Sequence, residues 1–60
     1  MNDTAKKIIE KLEKQYSDDT DAVDEIKRAK TTIKYYEKNG DINKAISTAY
    51  QLEAFLHDWH

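Results

Sequence analysis

Apolar residues recur at intervals of three and four along three stretches of the chain, and polar residues fill the positions between them. This period is typical of helices that bury one side. The pattern predicts helices over about 4–16, 21–39 and 42–58. It therefore predicts the all-α class: a three-helix bundle that forms a single helical domain over residues 1–60.

Polar residues mark where the helices begin and end. Residues 17–21 have no apolar period and form a short connection. The first helix has three possible capping residues, which are Asn2, Asp3 and Thr4, and the second helix is expected to be capped by Thr20 or Asp21.

The second joint is the tripeptide Asn39-Gly40-Asp41. Glycine can take the left-handed conformation that closes a helix, and Asp41 is suited to cap the helix that follows. Because the joint is so short, helices 2 and 3 are predicted to form an antiparallel hairpin.

The third helix has an apolar arc that covers more than half of its circumference, whereas a surface helix typically has a stripe of about 100°. We therefore expect this helix to be central and to contact both others. The part of the arc that they leave uncovered is expected to face a second copy or another protein. The residues of the arc are Ile42, Ala45, Ile46, Ala49, Tyr50, Leu52, Phe55, Leu56 and Trp59.

Six aromatic residues are more than so short a chain can bury. Tyr16, Tyr36 and Trp59 are expected to close the ends of the core. The other three lie on the flanks of helices and are the candidate contacts for a protein partner, because tyrosine and other aromatic rings frequently anchor interfaces. They are Tyr35, Tyr50 and Phe55.

Composition excludes several classes of protein. The chain has 60 residues, a net charge of -2, no cysteine, no proline and one glycine. Disulfides and thiolate metal sites are therefore absent, and the overall charge does not favour nucleic acid. No apolar run predicts a membrane span or a signal peptide, so a cytoplasmic location is expected.

Catalysis is not expected. The serines Ser17 and Ser47 have no neighbouring base in the sequence, and the single glycine is needed at the helix joint rather than in a phosphate loop. The chain is therefore predicted to be non-enzymatic and to need no cofactor.

One set of residues has the spacing of metal ligands. Glu53, His57 and His60 are separated by four and three residues, so a continuous helix would align them on one side, and their side chains suit zinc. The alternative is that Glu53 pairs with a lysine of a neighbouring helix while the histidines are polar ends of the chain. This alternative is favoured, and a small metal-binding protein remains a minor hypothesis.

A row of lysines, Lys27, Lys34 and Lys38, is predicted on the outward side of helix 2. Positive side chains attract phosphates, so a nucleic-acid-associated regulator is the alternative function. Acidic residues on the same helix, among them Asp21 and Asp24, oppose it. The row is expected instead to orient a protein partner.

The stretch 35–46, with the sequence YYEKNGDINKAI, resembles the joint of a tetratricopeptide-type helical hairpin, in which an aromatic-rich helix ends in Gly-Asp and resumes with Lys-Ala. It is also similar to small uncharacterised archaeal helical-hairpin proteins. The resemblance implies an interaction module and transfers no site residue.

Together these observations predict a small non-catalytic protein, an adaptor, inhibitor or regulator. It is expected to act through an apolar helix face on another protein or on itself as a homodimer.

Overall fold

The computed structural model describes residues 1–59 and contains three helices over that range: α1 (Asp3–Gln15), α2 (Thr20–Lys38) and α3 (Ile42–His57). The prediction of an all-α three-helix fold is confirmed, and each predicted helix end lies within one residue of the observed end. None of the helices in this range has the length and apolar character needed to cross a membrane.

The helices run up, down and up along a bundle that measures 33 × 16 × 15 Å. At one end, the Asn2 backbone N–H donates to the Glu37 carboxylate, so the start of α1 lies beside the end of α2. At the other end, the Tyr16 hydroxyl donates to the Leu56 carbonyl at 3.1 Å, so α1 and α3 end together. Helix α1 is therefore antiparallel to α2 and parallel to α3.

The core is small and contains several alanines. Helix α3 supplies the largest share of it and contacts both neighbours, which confirms that it is the central helix. Alanine side chains end at Cβ, so helices can approach closely where they face each other. The buried residues are Ala5, Ile9, Leu12, Ala22, Ile26, Ile33, Ala45, Ala49, Leu52 and Leu56.

The first two helices are each capped by a side chain. The Asn2 Oδ1 atom accepts from the Ala5 N–H at 2.9 Å, which selects one of the three expected caps. At α2 the cap is Asp19, whose Oδ1 accepts from the Ala22 N–H at 3.2 Å. The expectation of Thr20 or Asp21 was wrong, because the extended backbone that a cap requires occurs at Asp19 (φ −103°, ψ 103°).

The joint between α2 and α3 is a Schellman motif. Gly40 has φ +78°, its N–H donates to the Glu37 carbonyl at 3.1 Å, and the Asp41 N–H donates to the Tyr36 carbonyl at 2.8 Å. Asp41 occupies the predicted capping position of α3, but its side chain makes no capping hydrogen bond. Its Oδ2 atom lies instead 3.6 Å from the Lys44 Nζ atom.

We expect Gly40→Ala to destabilise the fold by about 1–2 kcal/mol, because an L-residue is strained in the left-handed region. No neighbouring atom lies within 4 Å of an added Cβ, so a clash would not contribute. Urea denaturation followed by circular dichroism measures the loss. Gly40→Asn is the control and should lose less, since asparagine tolerates this conformation. Equal stability of both variants and the original chain would contradict the prediction.

Candidate interaction surface

The aromatic residues divide into two groups. Tyr16, Tyr36 and Trp59 are partly buried and pack against the core, as expected for residues that close its ends. The other three are about half exposed or more: Tyr35 at 63%, Tyr50 at 53% and Phe55 at 49% of the residue's full accessible area. The expected surplus of apolar surface on α3 is therefore present.

Tyr50 and Phe55 lie on opposite borders of α3. Tyr50 lines the groove between α1 and α3, together with Leu12 and Tyr16. Phe55 lines the groove between α2 and α3, beside Ala29, and its ring meets Trp59 edge-on at a centroid distance of 5.2 Å. Each aromatic thus extends the core outward on one side of the helix.

Between Ser47 and Phe55, the surface of α3 that lies between these two borders is exposed and carries no formal charge. We call it the outer face of α3. Charged side chains occupy many of the exposed positions of α1 and α2, so this face differs from the rest of the bundle. Protein interfaces have the same bias, with few charges and many aromatic rings. The face comprises Ser47, Tyr50, Gln51, Ala54 and Phe55.

Three members of the outer face were missed by the sequence reasoning, which searched for apolar residues. Ser47, Gln51 and Ala54 are small or polar and belong to no hydrophobic stripe. The signal that marks them is charge: between Lys44 and Asp58, the only acidic or basic residue besides histidine is Glu53.

Tyr35 lies on α2 and is not brought onto the outer face of α3. Its ring meets the Tyr36 ring edge-on at 5.8 Å between centroids. The Tyr36 ring is in turn 5.8 Å from the Lys44 Nζ atom, a distance suited to a cation–π contact. The predicted contact set is thus split between two helices.

The lysines Lys27, Lys34 and Lys38 are exposed on α2, as expected for an outward row. No ion pair found within residues 1–59 includes any of them. Lys30, nearer the core edge, differs because its Nζ atom lies 3.1 Å from the Glu13 carboxylate of α1. The row therefore presents its positive charge to solvent.

The possible metal ligands are not assembled in the part of the chain that the structure describes. The Glu53 carboxylate is hydrogen-bonded and ion-paired with the Lys11 amine of α1, which confirms the alternative interpretation of this residue. His57 is exposed, and His60 lies outside the described residues. Within residues 1–59, no group of three histidine, aspartate or glutamate side chains is placed to hold a metal ion.

In comparisons with known proteins, no family model, curated protein or solved structure matches the chain. The resemblance of residues 35–46 to a tetratricopeptide-type hairpin stays an expectation from the sequence.

We expect Tyr50→Ser to lower the free energy of unfolding by less than about 0.5 kcal/mol, because the ring is half exposed and the two residues have similar helix propensities. Leu56→Ala, on the same helix but fully buried, should cost about 2–5 kcal/mol. Urea denaturation at low protein concentration gives both values. A loss at Tyr50 as large as the loss at Leu56 would place Tyr50 in the core.

Proposed function

We propose that the protein is a small non-catalytic interaction or regulatory protein, an adaptor or inhibitor, that binds a protein chain through the outer face of α3. The observation that carries this proposal is the half-exposed pair Tyr50 and Phe55 on a helix face without formal charge. The proposal includes no catalytic step and no cofactor, and it includes a cytoplasmic location.

The chemistry of the face supports binding to protein. Covering an exposed ring removes apolar area from water, and the Tyr50 hydroxyl can keep a hydrogen-bond partner while the ring is covered. No charged group on the face has to be desolvated, which is a cost that weakens many polar contacts. The face is also part of a folded helix, so little conformational entropy is lost on binding.

The exposed lysines of α2 have a supporting role in this proposal. Unpaired positive charges attract acidic surfaces over a distance of about 8–10 Å at physiological salt. Lys27, Lys34 and Lys38 would thus raise the rate of encounter with an acidic partner and orient it. Tyr35, on the same helix, remains a candidate contact at the edge of such a complex.

Site-specific photo-crosslinking tests the surface. Benzoylphenylalanine replaces Tyr50 or Phe55 in turn. Each variant is expressed in the organism that the protein comes from, and the cells are irradiated. We expect adducts from both positions, because both rings lie where a partner would be. Lys7, exposed on α1, is the control position and should give none. The proposal is wrong if positions 50 and 55 give no adduct, or give the same adducts as position 7.

The exposure of the lysine row supports a second candidate function, binding of nucleic acid through phosphate contacts. A mobility shift at low salt that weakens steeply as salt is added is the expected behaviour. Changing Lys27, Lys34 and Lys38 together to glutamine should abolish it, whereas Tyr50→Ser should leave it unchanged. Absence of any shift at low salt rejects this function.

A further inference from the structure

The outer face of α3 is flanked by opposite charges, one beyond each of its ends. Lys44 stands at one end and Asp58 at the other, each seven residues from Gln51. Seven residues are close to two helical turns, so all three lie on the same side. Asp58 follows the last residue of α3, but its backbone still has helical angles (φ −83°, ψ −4°). Both charged side chains are exposed. Lys44 also forms an ion pair with Asp41, with 3.6 Å between Nζ and Oδ2, but a surface pair of this kind contributes little and leaves the amine able to exchange partners.

We propose that the outer face of α3 binds a second copy of this chain in an antiparallel arrangement, with the two-fold axis passing at Gln51. This inference rests on the proposed function and names the partner. A two-fold axis makes every contact occur twice, so a self-complementary face is required. A face with a positive end, a negative end and an uncharged centre meets that requirement.

The antiparallel alignment places each charged end against its opposite. Lys44 of one copy lies at the level of Asp58 of the second copy, and the same pair forms again at the other end. The small side chains Ser47 and Ala54 flank Gln51 and allow the helices to approach closely. Phe55 then lies at the level of Ser47 of the second copy, a small side chain that leaves more room for a ring than a large one would.

A parallel alignment of the same helices is disfavoured by the same charges. It would place Lys44 against Lys44 and Asp58 against Asp58, and like charges that face each other are repulsive. A partner that relies on charged contacts at the centre of the face is disfavoured as well, because that centre carries no charge. A second copy in the antiparallel arrangement is complementary to both the uncharged centre and the charged ends.

The size of the face predicts a weak, reversible dimer. A helix of 16 residues is about 24 Å long and about 10 Å wide with its side chains. A contact of one such helix with another covers roughly 240 Å² on each copy, which is below the usual size of a stable interface, so only a transient complex is expected. Dissociation constants on the order of 100 µM or weaker are expected, and association must be measured up to about 1 mM.

Charge exchange at the two ends tests the alignment. The Lys44→Glu variant places a negative charge opposite the negative Asp58 of the second copy. The Asp58→Lys variant places a positive charge opposite the positive Lys44 of the second copy. Each single variant should therefore dimerise at least about five-fold more weakly than the original chain. An equimolar mixture of the two should dimerise again, because both end pairs then join opposite charges.

Sedimentation equilibrium at low ionic strength measures these constants, and circular dichroism checks that each variant keeps its helices. The inference is overturned if the original chain stays monomeric up to about 1 mM, if the single variants dimerise as well as the original chain, or if the mixture associates no better than they do alone. A monomeric chain whose positions 50 and 55 still crosslink to a different protein would reject the dimer and keep the proposed function.

A cysteine placed on the axis gives a second readout. The chain has no cysteine of its own, and the two copies of residue 51 face each other in the proposed dimer. Gln51→Cys should form a disulfide-linked dimer rapidly under mild oxidation. Gln15→Cys, at the other glutamine of the chain and exposed on α1, is the matched control and should form it slowly. Equal rates for the two variants would contradict the alignment.

Discussion

The close approach of the helices, made possible by buried alanines, is the constraint on which the rest of the structure depends. Ala5, Ala22, Ala45 and Ala49 are fully buried, at least one on each helix. Where two helices meet through side chains this short, no aromatic ring fits between them. Rings are therefore placed at the ends of the core or on the outside, and the exposed aromatics of α3 follow from the packing of its inner side.

Polar contacts fix the position of α1 on the hairpin formed by α2 and α3. The pair Lys11–Glu53 joins α1 to α3, and the pair Glu13–Lys30 joins it to α2. Ion pairs near the surface contribute little each, so they determine register more than stability. These ion pairs also neutralise charged side chains along the borders of the core. The centre of the exposed side of α3 carries no charge.

The sequence was sufficient to predict the helices, because the apolar period and the Gly40 joint mark their ends locally. The sequence was insufficient where a structural detail depended on residues of a neighbouring helix or on the backbone dihedral angles of a single residue. Asp19, Thr20 and Asp21 are all good caps, and only the backbone conformation selects the first. The lysine that pairs with Glu53 depends on α1 being parallel to α3, which the connection between α1 and α2 does not determine. Gln51 has no hydrophobic signal at all.

The brevity of the turn at Gly40 also bears on how quickly the chain reaches its native state. Two helices joined by so few residues meet with little loss of chain entropy, and their contacts join residues that are near in sequence. Topologies of this kind fold in microseconds to milliseconds. The apolar side of α3 is therefore covered by α2 soon after synthesis. The time during which this apolar surface is exposed and can cause aggregation is short.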